Sequence, residues 1–201
     1  CDETRRWVPL NKVAPIMQTA QIAVEDHRFY EHGAMDLQGT LRALVSTVRG
    51  NTQGASTLTQ QYVKMTLISA AQAKGDNEGV QKAQENTLAR KIQELRYAIA
   101  LEKQFSKDQI LERYLNIAYY GDGAYGVEAA ALNYFGVHAS ELNLQQAAML
   151  AGMVRNPVGT NPRTPGLQLV ALQRRNDVLD RMAVSDVHVI TAQQAATAKA
   201  T

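Results

Sequence analysis

Two adjacent carboxylates, Glu25 and Asp26, follow the apolar run Ile22 to Val24 and lead into His27, Arg28, Phe29, Tyr30, Glu31 and His32. Neighbouring side chains diverge on helix and strand alike, so one carboxylate can face a cleft while the other anchors the local turn. A carboxylate at the end of an apolar helix suits a general base, which needs a basic oxygen within hydrogen-bond reach of the proton it removes. An acidic pair alone more often marks a solvated helix end. A lone histidine such as His32 is more often a structural hydrogen-bonding group.

Chemistry gains weight from two later clusters. Gly54, Ala55, Ser56, Thr57, Leu58, Thr59, Gln60, Gln61, Tyr62, Val63 and Lys64 place hydroxyls, amides and a cation along one short stretch. Thr57 with Gln60 reads as a capping box, and the helix entrance it creates suits an anion. The recurring hydroxyls and amides also suit a sugar, and Lys64, two turns along, can reach a phosphate. Capping explains Ser56 and Thr57 but not Gln61 with Lys64. The third cluster is Arg90, Lys91 and Glu94. On composition alone, Arg90 and Glu94 are an exposed ion pair one helical turn apart, worth a few tenths of a kcal/mol.

The elements that carry these clusters read as helices almost throughout. Pro15 suits a first helical turn, with Ile16, Ala20 and Ala23 on one face leading into Glu25. Asp36 suits an N-cap for a helix striped by Leu37, Leu41, Leu44, Val45 and Val48, ending at Gly50 and Asn51. Ser69 to Glu85, broken by Gly75, Asp76, Asn77 and Gly79, reads as a mobile surface loop with at most a frayed turn. Leu88, Ile92, Leu95 and Ile99 mark a buried stripe on the next helix. Ser106 with Gln109 caps a helix through Ile110, Leu111, Tyr114 and Leu115, which ends in an aromatic and glycine-rich turn up to Gly123. Gly126 opens a small-residue helix, and Asn143 with Gln146 caps another. Pro157, Pro162 and Pro165 predict an extended rigid segment. Leu169, Leu172, Leu179 and Met182 stripe one more helix, and 191–200 is the last.

Length and composition bound the class. The chain has 201 residues, 45% hydrophobic and 20% charged, which suits one globular domain or one domain with two lobes. A net charge of +2 and no long basic run argue against a nucleic-acid partner. The single cysteine, Cys1, excludes an internal disulfide. No apolar run reaches the ~18 residues of a membrane span. The first residue is not Met, and the expectation is that a preceding segment supplies an anchor.

Together these stretches resemble the peptidoglycan glycosyltransferases, the family-51 domain found alone or at the front of bifunctional class A penicillin-binding proteins. Glu25 to His32 fits the pattern E-D-x-x-F-x-x-H-x-G, and Gly54 to Gln61 fits G-x-S-T-[IL]-T-Q-Q. Arg90, Lys91 and Glu94 fit R-K-x-x-E, Ile110 to Asn116 fits the fourth motif, and Arg155, Asn156 and Pro157 resemble the fifth. Two positions depart from the family: Ala34 replaces a usual glycine, and Met65 follows Lys64 where asparagine is common.

The resemblance implies a mainly α, lysozyme-like fold with a larger head, a smaller mobile jaw at roughly 50–88, and an extended cleft. The glycosyltransferase domain would span 1–185, with 186–201 a helix or linker toward a transpeptidase domain. It implies polymerisation of lipid II: the acceptor 4-hydroxyl attacks the donor anomeric carbon and undecaprenyl pyrophosphate leaves with inversion. Glu25 and Glu94 are carried over as catalytic. Asp26, Phe29, His32, Ser56, Thr57, Gln60, Gln61, Lys64, Arg90, Lys91, Asn116 and Arg155 are carried over as substrate-binding. Within that set Glu25 is the base, Lys64 and Arg90 face the pyrophosphate with Lys91 a lesser partner, and Glu94 orients Arg90, a metal-bound water or the donor.

No organic cofactor or dedicated metal site is implied, only a divalent cation (Mg or Mn) carried on the substrate pyrophosphate near Glu94. The partners implied are the nascent glycan strand, the outer leaflet of the bacterial cytoplasmic membrane and other cell-wall synthesis proteins, with sensitivity to moenomycin. Tyr62, Met65, Leu67 and Ile68 could dip into the bilayer or simply pack within the jaw. Two rival readings are a lysozyme-like lytic transglycosylase or muramidase, and a non-catalytic glycan-binding domain. The cluster of Lys64, Arg90 and Lys91 disfavours the first, because cutting a neutral glycan releases no pyrophosphate. The presence of both Glu25 and Glu94 disfavours the second.

Overall fold

The computed structural model describes residues 6–36, 56–85 and 87–201. Among them the chain is mainly α, with nine α-helices, two short 3-10 turns (Leu10–Lys12 and Ala139–Glu141) and no sheet. The helices are α1 (Pro15–Glu25), α2 (Leu58–Ala73), α3 (Asn77–Gln84), α4 (Leu88–Gln104), α5 (Lys107–Ile117), α6 (Val127–Phe135), α7 (Leu144–Met153), α8 (Gln168–Ala183) and α9 (Ala192–Lys199). The helix expected over Leu37 to Val48, and Gly54 with Ala55, lie outside the described residues.

The chain divides into two compact units, one formed by 1–27 with 115–201 and the other by 28–114. In the first, α1 packs on α7 and α8, and α9 packs on α8. Pro15 occupies the first turn of α1, and Met17, Ala20 and Ala23 are buried. They belong to the same core as Leu150 and Met153 of α7 and Val178, Leu179 and Met182 of α8. Each large apolar side chain removed from water contributes about 1.5–3 kcal/mol. Gly152 permits close approach, since a Cβ there would sit 3.0 Å from Arg174 Cγ and 3.3 Å from Val178 Cγ2. The capping box expected at Asn143 and Gln146 forms, and the structure adds a second one, Thr191 with Gln194, at the start of the last helix.

In the second unit α2 packs on α3 and α4. Its core gathers Ala34, Val63 and Ala98, flanked by Leu67 and Leu101. Ile110, Leu111 and Tyr114 are fully buried, in keeping with the apolar face expected for α5. Ser106 and Gln109 exchange backbone N–H and side-chain bonds at 2.9 and 3.3 Å, a complete capping box.

Four expectations are overturned. The polar stretch from Ser69 is helix: α2 runs to Ala73, and α3 restarts after Asp76, whose side chain accepts from Gly79 N–H at 2.8 Å. Gly79 is part of that cap, because a Cβ there would lie 2.4 Å from Asp76 Oδ2. On α4 the expected buried stripe points outward: Leu88 is 77% exposed, Ile92 52% and Ile99 42%, with Leu95 half-buried. Glu94 and Ala98 face inward instead, because Ala98 and Leu101 join the α2 core and Glu94 is locked to cations beside them.

The proline segment is a run of turns: Thr160 N–H returns to Asn156 O at 3.0 Å and Leu167 N–H to Thr164 O at 3.0 Å. Proline's fixed φ serves a turn as well as an extended chain. On α8, Leu169 is 79% exposed and Leu172 38%, while Ala171 and Arg175 take the inward positions.

Candidate active site

In the first unit the expected base stands on the final residue of a helix. Asp26 ends α1 with φ −163° and ψ 71°, and its N–H returns to Ile22 O at 2.9 Å. Glu25 exposes only 3% of its side chain, and Arg155 Nη2 lies 3.9 Å from its Oε2. Arg155 is more than half exposed, so its charge faces both Glu25 and solvent. Asp26 is buried. Asn116 is buried too, and it clamps the N-terminal segment: its Nδ2 donates to Val8 O and its Oδ1 accepts from Val8 N–H, both at 2.9 Å.

The second unit assembles the other two clusters. Thr57 caps α2 by accepting from Gln60 N–H at 3.3 Å, and its hydroxyl donates to Ala34 O at 3.1 Å. Gln60 Nε2 donates to the same carbonyl at 2.8 Å. The Gln60 side chain therefore does not close the expected capping box; it ties the second motif to the turn after His32, where alanine replaces the usual glycine. Thr57 and Gln60 are almost fully buried in these roles. Gln61 is half-buried, and its Oε1 receives Tyr114 O–H at 3.4 Å.

Glu94 is the hub of the third cluster. Lys91 Nζ donates to its Oε1 at 2.5 Å and to Ser56 Oγ at 2.6 Å, while Arg90 Nη1 pairs with its Oε2. Arg90 Nε also donates to Glu85 O. The pair read from composition as solvent-exposed is in fact inside: Glu94 shows 3% of its side chain and Arg90 14%. Two cations on one carboxylate leave a net positive charge, held without the freedom of loose side chains. Lys64, half-buried on α2, makes no ion pair among the described residues.

The chain matches the Transglycosylase family over residues 1–183. It belongs to that family. This transglycosylase domain is 43% identical over 195 residues to "Penicillin-binding protein 1A" of Escherichia coli strain K12, covering 96% of the domain and 21% of the relative. To "Biosynthetic peptidoglycan transglycosylase" of Mesorhizobium japonicum it is 39% identical over 181 residues, 89% of the domain and 70% of the relative. "Penicillin-binding protein 2D" of Bacillus subtilis strain 168 is 41% identical over 162 residues, 80% of the domain and 21% of the relative. The chain thus spans about a fifth of the penicillin-binding relatives and most of the biosynthetic transglycosylase.

Among the residues carried over to the site, Ser56, Arg90, Lys91 and Glu94 of this transglycosylase domain form one bonded cluster. Glu25 and Arg155 form another. Phe29 is wholly buried, with the Lys107 ammonium 4.5 Å from its ring centroid and Tyr30 edge-on at 5.3 Å. His32 Nδ1 lies 2.6 Å from Gly33 O, so this ring nitrogen carries a proton and donates to that carbonyl.

Sequence reasoning passed over Glu102, and it read Tyr114 only as part of an apolar helix face and of the fourth motif. Glu102 Oε1 receives Thr59 O–H at 2.5 Å and Lys107 Nζ at 2.8 Å, fixing the start of α2. Its spacing from Thr59 carries no signal, because the contact exists only once α2 and α4 have packed. Both Glu94 oxygens are engaged, Oε1 by Lys91 and Oε2 by Arg90.

Proposed function

We propose that this domain elongates glycan strands from lipid II, with Glu25 as the base and the group centred on Glu94 as the fixed cation site for the departing pyrophosphate. The observation that carries this reading is the buried Glu94 carboxylate holding Arg90 and Lys91 together. A leaving group that gathers negative charge is stabilised by cations already in place, since no reorganisation is then needed during the reaction.

The acceptor N-acetylglucosamine 4-hydroxyl loses its proton to Glu25 as its oxygen bonds to C1 of the donor N-acetylmuramic acid. The C1–O bond to undecaprenyl pyrophosphate breaks with inversion, and Arg90, Lys91 and Lys64 take up the charge that leaves. A divalent ion, where present, travels with the pyrophosphate as part of the substrate. Glu94 anchors the cations, and Ser56 steers Lys91. Arg155, close to Glu25, suits the acceptor side. The two units would correspond to the head and jaw of a lysozyme-like fold, and 186–201 would lead toward a transpeptidase domain in a longer protein.

No helix among the described residues is long and apolar enough to cross a membrane. Access to a lipid substrate at the outer face of the cytoplasmic membrane would come from apolar side chains of the second unit. Leu88, Ile92 and Ile99 are exposed on α4, and a mostly apolar cavity of about 280 Å³ lies between α2 and α4, lined by residues that include Tyr62, Leu67, Tyr97 and Leu101. Met65 and Ile68 on α2 are half-buried.

Labelled lipid II, with and without moenomycin, tests the assignment. Glu25→Gln lowers polymerisation by about 100-fold or more, the range for loss of a general base, while circular dichroism stays native. Near-native polymer from Glu25→Gln refutes the base assignment. Solubilisation of sacculi without consumption of lipid II identifies a lytic enzyme instead.

A further inference from the structure

We propose that Arg181, acting with Asp186, is a positioning residue for Glu25. The inference rests on the reading of Glu25 as the base. Arg181 is on α8, 158 positions from Ala23 in sequence, yet its Nε donates to Ala23 O at 3.3 Å. That carbonyl lies in the last turn of α1, where backbone acceptors have no intrahelical donor. The same guanidinium grips Asp186, with Nη1 at 3.2 Å from Oδ1 and Nη2 at 3.4 Å from Oδ2. Asp186 Oδ2 in turn lies 3.6 Å from His27 Nε2.

Ala23 precedes Glu25 by two residues and His27 follows it by two. One guanidinium–carboxylate pair therefore meets the chain on both sides of the base, by a hydrogen bond at Ala23 O and by the approach of Asp186 to His27, at a point where α1 has just ended and helical hydrogen bonds no longer fix the backbone. Asp186 stays ionised beside these partners. Partial burial pushes its pKa up, but the charge and hydrogen bonds of Arg181, with help from His27, bring the net shift below the usual aspartate value. Arg155 approaches Glu25 from the turn after α7, so the distance between them depends on where the end of α1 is held. Neither Arg181 nor Asp186 falls within the five sequence motifs. A shift of about 1 Å in a reacting group costs on the order of 100-fold in rate, so a restraint of this kind reads out in turnover.

Arg181→Lys and Asp186→Asn, made in the intact chain, test the proposal. Lysine keeps the charge but cannot span Ala23 O and Asp186 with one planar fork. Asp186 is 55% exposed, so its amide variant poses little risk to folding. Each variant should lower kcat for lipid II polymerisation about tenfold with KM within about twofold and an unchanged thermal midpoint. In a Glu25→Gln background the same substitutions should change the residual rate less than about twofold, as expected when one group acts through the other. Wild-type kcat in both single variants overturns the proposal. So does an equal loss in both backgrounds, or a rate loss that follows only the loss of folded protein. Failure of the base reading shows separately, as wild-type turnover by Glu25→Gln alone.

Discussion

Glu94 receives the Arg90 guanidinium on Oε2 one helical turn away, with only 3% of the glutamate side chain open to water. Removing one partner of such a pair strands the other charge. Glu94→Ala should therefore cost about 3 kcal/mol in urea unfolding and abolish polymerisation. Lys91, 40% exposed, regains water and adds little to that loss. A variant as stable as wild type would show that the cations do not depend on Glu94.

Gly121 holds φ +86° and sits against the turn after α7: a Cβ there would lie 2.5 Å from Pro157 O. Gly121→Ala should destabilise by on the order of 2 kcal/mol, from backbone strain plus a clash with main chain that cannot swing aside. Gly123 has φ +72° with nothing within 4 Å, so Gly123→Ala should cost about 1 kcal/mol, the strain alone. Equal losses in thermal unfolding would refute the steric part. Displacement of Pro157 should also reduce turnover, because Arg155 lies two residues before it.

The pair of His138 and Glu128 makes stability depend on pH. His138 Nδ1 lies 2.7 Å from Glu128 Oε1, and the buried Glu128 also accepts from Ala139 N–H at 2.8 Å. The histidine pKa is raised above its ordinary 6.5, first by that hydrogen bond and then by the Glu128 charge. A raised pKa means the stabilisation is fully present below the unfolded value of 6.5 and is lost as pH rises through the folded value. Urea midpoints from about pH 6 to about pH 9 should fall in the wild type, with a shallower fall in His138→Gln.

Leu88, Ile92 and Ile99 lie on one exposed face of α4. Replacing all three by glutamine should leave stability within about 0.5 kcal/mol per site, as for other surface positions. The same variant should lose flotation with anionic liposomes if this face meets the bilayer. Undiminished flotation would place the membrane contact elsewhere.

How much was legible in the sequence follows from how local each feature is. Pro15 at the start of α1, the reciprocal bonds of Ser106 with Gln109 and of Asn143 with Gln146, and the buried face of α5 were all readable. Each depends on residues within a turn or two of one another. The α3 helix was missed because Gly79, Asp76 and Asn77 carry breaker chemistry that also builds a tight cap, and only backbone geometry shows which use prevails.

The family motifs were likewise open to reading, because the order and spacing of Glu25, Thr57, Arg90, Glu94 and Arg155 need no knowledge of contacts. Sequence by itself determined the mainly helical class, the family and the residues worth testing. Tertiary packing alone decided which face of α4 turns inward, that Thr57 and Gln60 converge on Ala34 O, and that Arg181 reaches the end of α1. The physical reason is that burial and long-range hydrogen bonds are properties of two segments at once. Leu88 and Glu94 exchange the places their own hydropathy predicts because Ala98 with Leu101 on one side, and Lys91 with Ser56 on the other, stabilise the opposite rotation of the helix.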